Sequence, residues 1–449
     1  MKCFIAGALL IFVAITVPAQ APDPALMAEI HKIKAIDNHS HPPRLVAPGE
    51  TDNEFDALPC DPLEPTAPNT ITRPENPVYL AAWKSLWGYP YDDRSPAHIQ
   101  ELLATKQRIR KEQGDHYSAW VLDKLGIETE LANRIALGRG LVPPRFRWVA
   151  FDDALMLPLN GGALANETPD KKIFYAHEKS LLNRYLKELK VATLPATLTE
   201  YLSGVVTAEL EQQKQKGAVA IKFEAAYLRP LDFEPESERG PDAIERREVE
   251  TIYAKYSHSG TPSRGEYLHL QNYLFRYIAT EAGRLGLPVH IHTGFGCGGY
   301  FQLSGANPLL LESVLNDSRL RKTTFVLLHA GAGPFPRTIA PLLMKPNVYT
   351  DLSEHTWMES PRRLSEVLRE WLEWYPEKVL FGTDLYPGAA EFDWEEIGWQ
   401  TSEAGRQALG IALTNMMTDG EIKRDRALEI ARMVLRGNAL KLYGWEEVH

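Results

Sequence analysis

From residue 30 onward, short β-rich runs alternate with longer amphipathic stretches, and few folds accept that order. The runs are Ala35–Asn38, Glu128–Ala136, Phe146–Phe151, Ala218–Phe223, Pro288–Thr293, Thr324–His329, Asn347–Leu352 and Lys378–Thr383. Strands separated by helical crossovers pair in parallel, and eight of them match a closed (β/α)8 TIM barrel of the α/β class. Such a barrel builds its site at the C-terminal strand ends. Two connections are too long to be simple loops. Residues of about 43–127, rich in Pro, Asp and Trp and then helical in pattern, and residues 152–216, mostly helical, read as insertions after the first and third strands. Glu234–Arg247 is dominated by charge and reads as a solvated loop or helix face.

The first residues read as a targeting segment. Met1-Lys2 is a short positive start, Phe4–Val17 is apolar, and Ala19-Gln20-Ala21 fits a signal-peptidase site. The expectation is a signal peptide over 1–21, a barrel domain over 22–449, and a secreted or periplasmic product. An uncleaved N-terminal anchor is the alternative. No later stretch is long and apolar enough to span a bilayer, so no stable membrane span is expected once the leader is removed. Cleavage would leave Cys60 and Cys297, either bridged in an oxidising compartment or free as two thiols. With 49 Lys and Arg against 59 Asp and Glu, the formal charge of −10 opposes a nucleic-acid partner. A small molecule is the expected partner, with homo-oligomerisation left open.

The chemistry lies at the strand ends. Ile36-Asp37-Asn38-His39-Ser40-His41 places two histidines at i and i+2, so both imidazoles leave the first strand on one face. His292 ends the fifth run, His329 the sixth and Asp384 the eighth, each just before or among small residues. A buried imidazole or carboxylate without a partner is costly, and one divalent cation would serve them all. His290, two residues deeper than His292 on the same side, reads instead as a hydrogen-bonded core histidine.

These residues sit in segments that resemble the amidohydrolase superfamily, in its amidohydrolase-related (family 2) branch. They are Ala35–Pro42 (AIDNHSHP), Val121–Ile127 (VLDKLGI), Ala220–Arg229 (AIKFEAAYLR), Ile291–Gly296 (IHTGFG), Asn307–Leu310 (NPLL), Leu327–Pro336 (LLHAGAGPFP) and Phe381–Asp384 (FGTD), in the family's order. Within the branch they most resemble nodulin-like members, the domain found fused to glutamine synthetase in some plants and fungi.

The resemblance implies a metal held by His39, His41, His292 and Asp384, with His329 at the reacting oxygen. Lys222 matches a fourth-strand position that is carbamylated in some members and bridges two metals; the alternative is an unmodified ammonium pairing with a substrate carboxylate or with Glu224. One ion is the expectation, zinc first and manganese, iron or nickel behind it, with a second ion open if Lys222 is carbamylated. The implied activity is a metal-dependent hydrolase that opens an amide, ester or lactone bond with metal-activated water, Asp384 as general base and His329 polarising the carbonyl. Tyr227, Arg229 and His355 are candidate substrate contacts, and the glycines Gly294, Gly296, Gly298 and Gly299 with Tyr300 form a candidate closing loop. The alternatives are a decarboxylase or uronate-type isomerase on the same barrel and, lower, a metal-dependent binding protein without turnover.

Overall fold

The computed structural model describes residues 21–47, 49–64, 66–67, 72–234 and 243–445. The expected leader lies outside them apart from Ala21, as does most of the charge-rich segment up to residue 242. The remainder of that segment opens the helix Ala243–Tyr256.

All eight expected strands form: β1 (Ala35–Ser40), β2 (Ile127–Asn133), β3 (Phe146–Phe151), β4 (Ala218–Phe223), β5 (Val289–Gly294), β6 (Phe325–Ala332), β7 (Val348–Asp351) and β8 (Val379–Leu380). They pair in parallel in the order β1 to β8. Backbone bonds from Asn38 N to Phe381 O (2.9 Å) and from Asp384 N to His39 O (2.8 Å) bring the last strand's exit back to the first. The eighth strand is shorter than expected, because past Leu380 the chain follows β1 through these isolated bonds.

Side-chain alternation explains what fills the lumen. Ile36, Leu131, Val149, Ala220, Val326, Leu328 and Leu380 point inward and pack on Ala439 and Leu440 of the C-terminal helix, which plugs the floor. Phe325, Leu327, Val289, Ile291 and Phe381 belong to the outer layer, against the surrounding helices. The insertion after β1 contributes the helices Val78–Trp87, Pro96–Gln113 and Tyr117–Leu125, and that after β3 the helix Pro169–Glu188. A disulfide joins Cys60, in the loop after β1, to Cys297, in the loop after β5. Among the described residues no helix is long and apolar enough to cross a membrane.

Candidate active site

Three of the expected side chains meet where β8 closes on β1. The Nε2 atoms of His39 and His41 lie 3.2 and 3.7 Å from Asp384 Oδ1. The proximity follows from the backbone bond between Asp384 N and His39 O. On β1 the pairing slips between Asp37 and Ser40, which turns His39 inward as well as Asn38, whose carbonyl oxygen takes the Tyr443 hydroxyl (2.6 Å). Beneath the site Tyr443 also holds His290 at 2.8 Å, so that histidine is a hydrogen-bonded floor residue.

His329 reaches the cluster by a different device. Alternation along β6 would send it outward with Phe325 and Leu327, but His329 and Ala330 adopt φ of 61° and 46°, and the strand reverses its faces. Left-handed backbone in non-glycine residues is strained and is kept only where the surroundings impose it. Glu354 (63°) and Asp384 (56°) share this conformation, so four of the five such residues described lie at the strand ends of this site.

The tautomer of His329 follows from its neighbours. Ser353 Oγ donates to Asp351 Oδ1 (2.7 Å), so at 3.0 Å from His329 Nδ1 it accepts the ring proton. The Nε2 lone pair is therefore the acceptor. Polarising a carbonyl would require an added proton on Nε2, and burial, helped by His292 and Lys222, holds the ring well below the ordinary histidine pKa.

The chain of rings continues from His41 to His39 (5.0 Å between centroids), His329 (4.8 Å) and His292 (4.6 Å). His292 stands at its edge rather than among the converging donor atoms. Its Nε2 is 2.7 Å from Phe295 O, and Tyr227 packs on its other side at 4.7 Å. Tyr227 also lines a narrow cavity with Phe174, Cys297, Tyr300 and Phe301. The loop carrying Gly296 and Tyr300 is therefore a wall of that cavity.

Lys222 is fully buried, its ammonium donating to His39 Nε2 at 3.4 Å. The other two candidate substrate contacts have most of their polar atoms engaged within the protein, although Arg229 lines the same cavity as Tyr227. The Arg229 guanidinium is spent on the carbonyls of Pro230 (3.0 Å), Asp232 (3.0 Å) and Leu268 (3.2 Å) and stacks over Phe233, while burial lowers its pKa to about 10. His355 is buried with Nδ1 at 3.0 Å from Glu359 and its ring edge-on to Trp371.

The arrangement fits a cation. Burial, then Lys222, keeps His39 well below the ordinary histidine range, so the ring is a neutral ligand. With Lys222 donating to Nε2, that atom is a lone pair facing a carboxylate oxygen at 3.2 Å. Two nitrogens and an oxygen crowded in this way are a donor set for a divalent ion. Burial pushes Asp384 up to about 6 against the pull of His41 and Lys222, and pushes Glu354 well above its usual range. Sequence reasoning missed Asp351, Glu354 and Asp56. Asp351 carried the signal used for the others, an acid ending an apolar strand, whereas Asp56 lies in a loop with no pattern to mark it. Asp56 Oδ2 is 3.0 Å from His41 Nδ1.

A parallel eight-stranded barrel with a histidine–carboxylate cluster at its C-terminal rim defines a metal-dependent enzyme of the TIM-barrel class. The chain belongs to the amidohydrolase family, whose model matches residues 193–445, more than half its length. It is 29% identical over 238 residues to Protein fluG of Emericella nidulans, a match covering 51% of this chain and 26% of that protein. The chain thus matches about a quarter of that relative. Two solved structures share the fold. One is a Lactobacillus casei protein provisionally assigned as a metal-dependent hydrolase (TM-score 0.58, 17% identity, 95% of this chain and 98% of that one). The other is a uronate isomerase from Thermotoga maritima (TM-score 0.55, 14% identity, 93% and 96%).

Proposed function

We propose that this enzyme is a hydrolase that opens an amide, ester or lactone bond of a small molecule, using one divalent ion, zinc by preference. The observation that carries the reading is the convergence of His39 Nε2 and His41 Nε2 on Asp384 Oδ1 in a buried pocket. When bound there, the ion supplies Lewis acidity and brings the pKa of a water from about 15.7 toward 7. His39 and His41 would hold the ion, with His292, at the end of the ring chain and now paired with the Phe295 carbonyl, as a further candidate ligand. Asp384 uses Oδ1 toward the histidines and keeps Oδ2 to accept a proton and return it to the leaving group. His329 stands beside this path, its Nδ1 4.0 Å from Asp384 Oδ2 and its Nδ1–H held by Ser353. Tyr227, between His292 and the neighbouring cavity, contacts the substrate.

As an ammonium, Lys222 competes with the ion for the His39 lone pair. A second ion would need a further ligand, which Lys222 would supply if carbamylated. The Cys60–Cys297 bridge and the apolar start of the chain support a secreted or periplasmic location.

The test is to load the purified protein with Zn2+ and screen N-acyl amino acids, lactones, uronates and aromatic acids. The expected result is acid release from an acyl compound or lactone that stops on chelation and returns with Zn2+. Carbon dioxide release or aldose–ketose interconversion without hydrolysis would assign the decarboxylase or isomerase chemistry instead.

A further inference from the structure

We infer that Asp56, delivered by the insertion after β1 and tethered by the Cys60–Cys297 bridge, is the positioning residue that orients His41 for metal binding. This rests on the metal reading above. A ligating imidazole holds its orientation when its other nitrogen donates to a carboxylate, which also raises its basicity as a donor. Asp56 stands in that place. Its Oδ1 accepts Leu58 N at 3.1 Å, which fixes the carboxylate, and its Oδ2 lies 3.0 Å from His41 Nδ1. Glu224 lies in the same group, with donor atoms of all three residues within 4.8 Å of one another. With Nδ1 turned to Asp56 at 3.0 Å, a ligating His41 would carry its proton there and present the Nε2 lone pair toward Asp384.

The contact lacks the alignment of a hydrogen bond, and His41 Nε2 stands 3.7 Å from Asp384 Oδ1 against 3.2 Å for His39. The ring that ligates must turn slightly, and Asp56 is placed to take its N–H when it does. The carboxylate thus favours the ion-bound orientation over the free one. Its loop is built to stay put. Asp52 is clamped by the buried Arg134 (2.8 Å) and by Arg44 (3.0 Å), Glu54 pairs with Arg184 (2.9 Å), and four residues beyond Asp56 the disulfide ties the loop to the one after β5. Two loops that flank the histidine cluster are so joined by one covalent link.

The experiment measures zinc affinity by competition with a chromogenic chelator, and the visible absorption of the Co2+-loaded protein, for wild type, Asp56→Asn, Asp56→Glu and the double variant Cys60→Ser/Cys297→Ser. The unfolding midpoint of each metal-free protein is recorded alongside. Asp56→Asn is expected to weaken zinc binding about 10- to 100-fold, to shift the cobalt bands, and to leave the metal-free midpoint unchanged. Asp56→Glu recovers most of the affinity, and the double cysteine variant weakens binding in the same direction by less. Wild-type zinc affinity and an unaltered cobalt spectrum in Asp56→Asn would overturn the role of Asp56 while leaving the metal site standing. So would a loss shared equally by Asp56→Glu and matched by a fall in the metal-free midpoint. A wild-type protein that takes up no ion overturns the metal reading itself, and this inference with it.

Discussion

Among the buried polar clusters of the described residues, two are built to opposite rules. Around Lys106, Glu396 takes both a salt bridge (2.8 Å) and the Trp87 indole N–H (2.6 Å), while Glu395 is held by Arg110 (3.0 Å) and Tyr117. Only Glu395 Oε2 lacks a hydrogen bond, and it is 3.9 Å from the Lys106 ammonium. At the strand ends, by contrast, His39 Nδ1, His41 Nδ1, Glu224 Oε2 and Glu354 Oε2 are all buried without a hydrogen bond, and the backbone there is strained. Burial of charge is therefore not what distinguishes a site. Unmet demand that converges with histidine donors is, because Asp152, Asp153, Glu178 and Glu209 also carry buried oxygens without a hydrogen bond but belong to no cluster of converging ligand atoms among the described residues.

The sharpest way to break this contrast is to remove one donor from each cluster. Asp384→Asn should abolish tight metal binding and lower turnover about 1,000-fold or more, as loss of a group acting on both metal and proton does. Its metal-free form should be as stable as wild type or more so, because a poorly compensated buried charge is gone. Metal analysis and chemical denaturation decide both points, and a destabilised metal-free variant with full metal content would make Asp384 a structural residue. Lys106→Met should do the reverse, costing about 3–5 kcal/mol of stability because Glu396 loses its cation, with zinc affinity unchanged. Pairing it with Glu396→Leu should restore most of that loss.

The satisfied cluster also predicts a pH dependence. Burial outweighs Lys106 and raises Glu396 to about 7, from an ordinary glutamate value of 4.5. The folded protein therefore holds a proton between these values that the unfolded chain releases. This contribution is full below about 4.5 and is lost as pH rises through 7, a decline of about 3 kcal/mol. Denaturation midpoints of the metal-free protein across pH 4–8 measure it, and the Lys106→Met/Glu396→Leu pair should flatten the curve. An equal slope in that pair would place the titrating group elsewhere.

Much of this contrast is legible before any coordinates. Short β-rich runs, alternating with longer amphipathic stretches, mark all eight strands, and a titratable residue closing such a run marks His39, His292, His329 and Asp384. These signals work because they are local. What escapes is non-local: the backbone reversal that brings His329 inward, and Asp56, which meets His41 only because a long insertion folds back. Residue type is equally silent on the bonds that Arg229 makes within the fold. A guanidinium just past a strand suits a carboxylate, but the carbonyls of Pro230, Asp232 and Leu268 had already claimed it.

His355 gives the smallest effect and the finest test. It shares with the site histidines full burial and an imidazole nitrogen without a hydrogen bond, Nε2 in its case. What it lacks is convergence, since its Nδ1 is already paired to Glu359 one helical turn away and its ring edge meets Trp371. If convergence of donors defines the site, His355→Gln should change zinc affinity by less than about twofold and cost about 1 kcal/mol, the worth of one buried hydrogen bond. A loss of zinc affinity as large as that of Asp56→Asn would instead mean that any unsatisfied imidazole near the rim contributes. The boundary of the site would then have to be drawn around His355 as well.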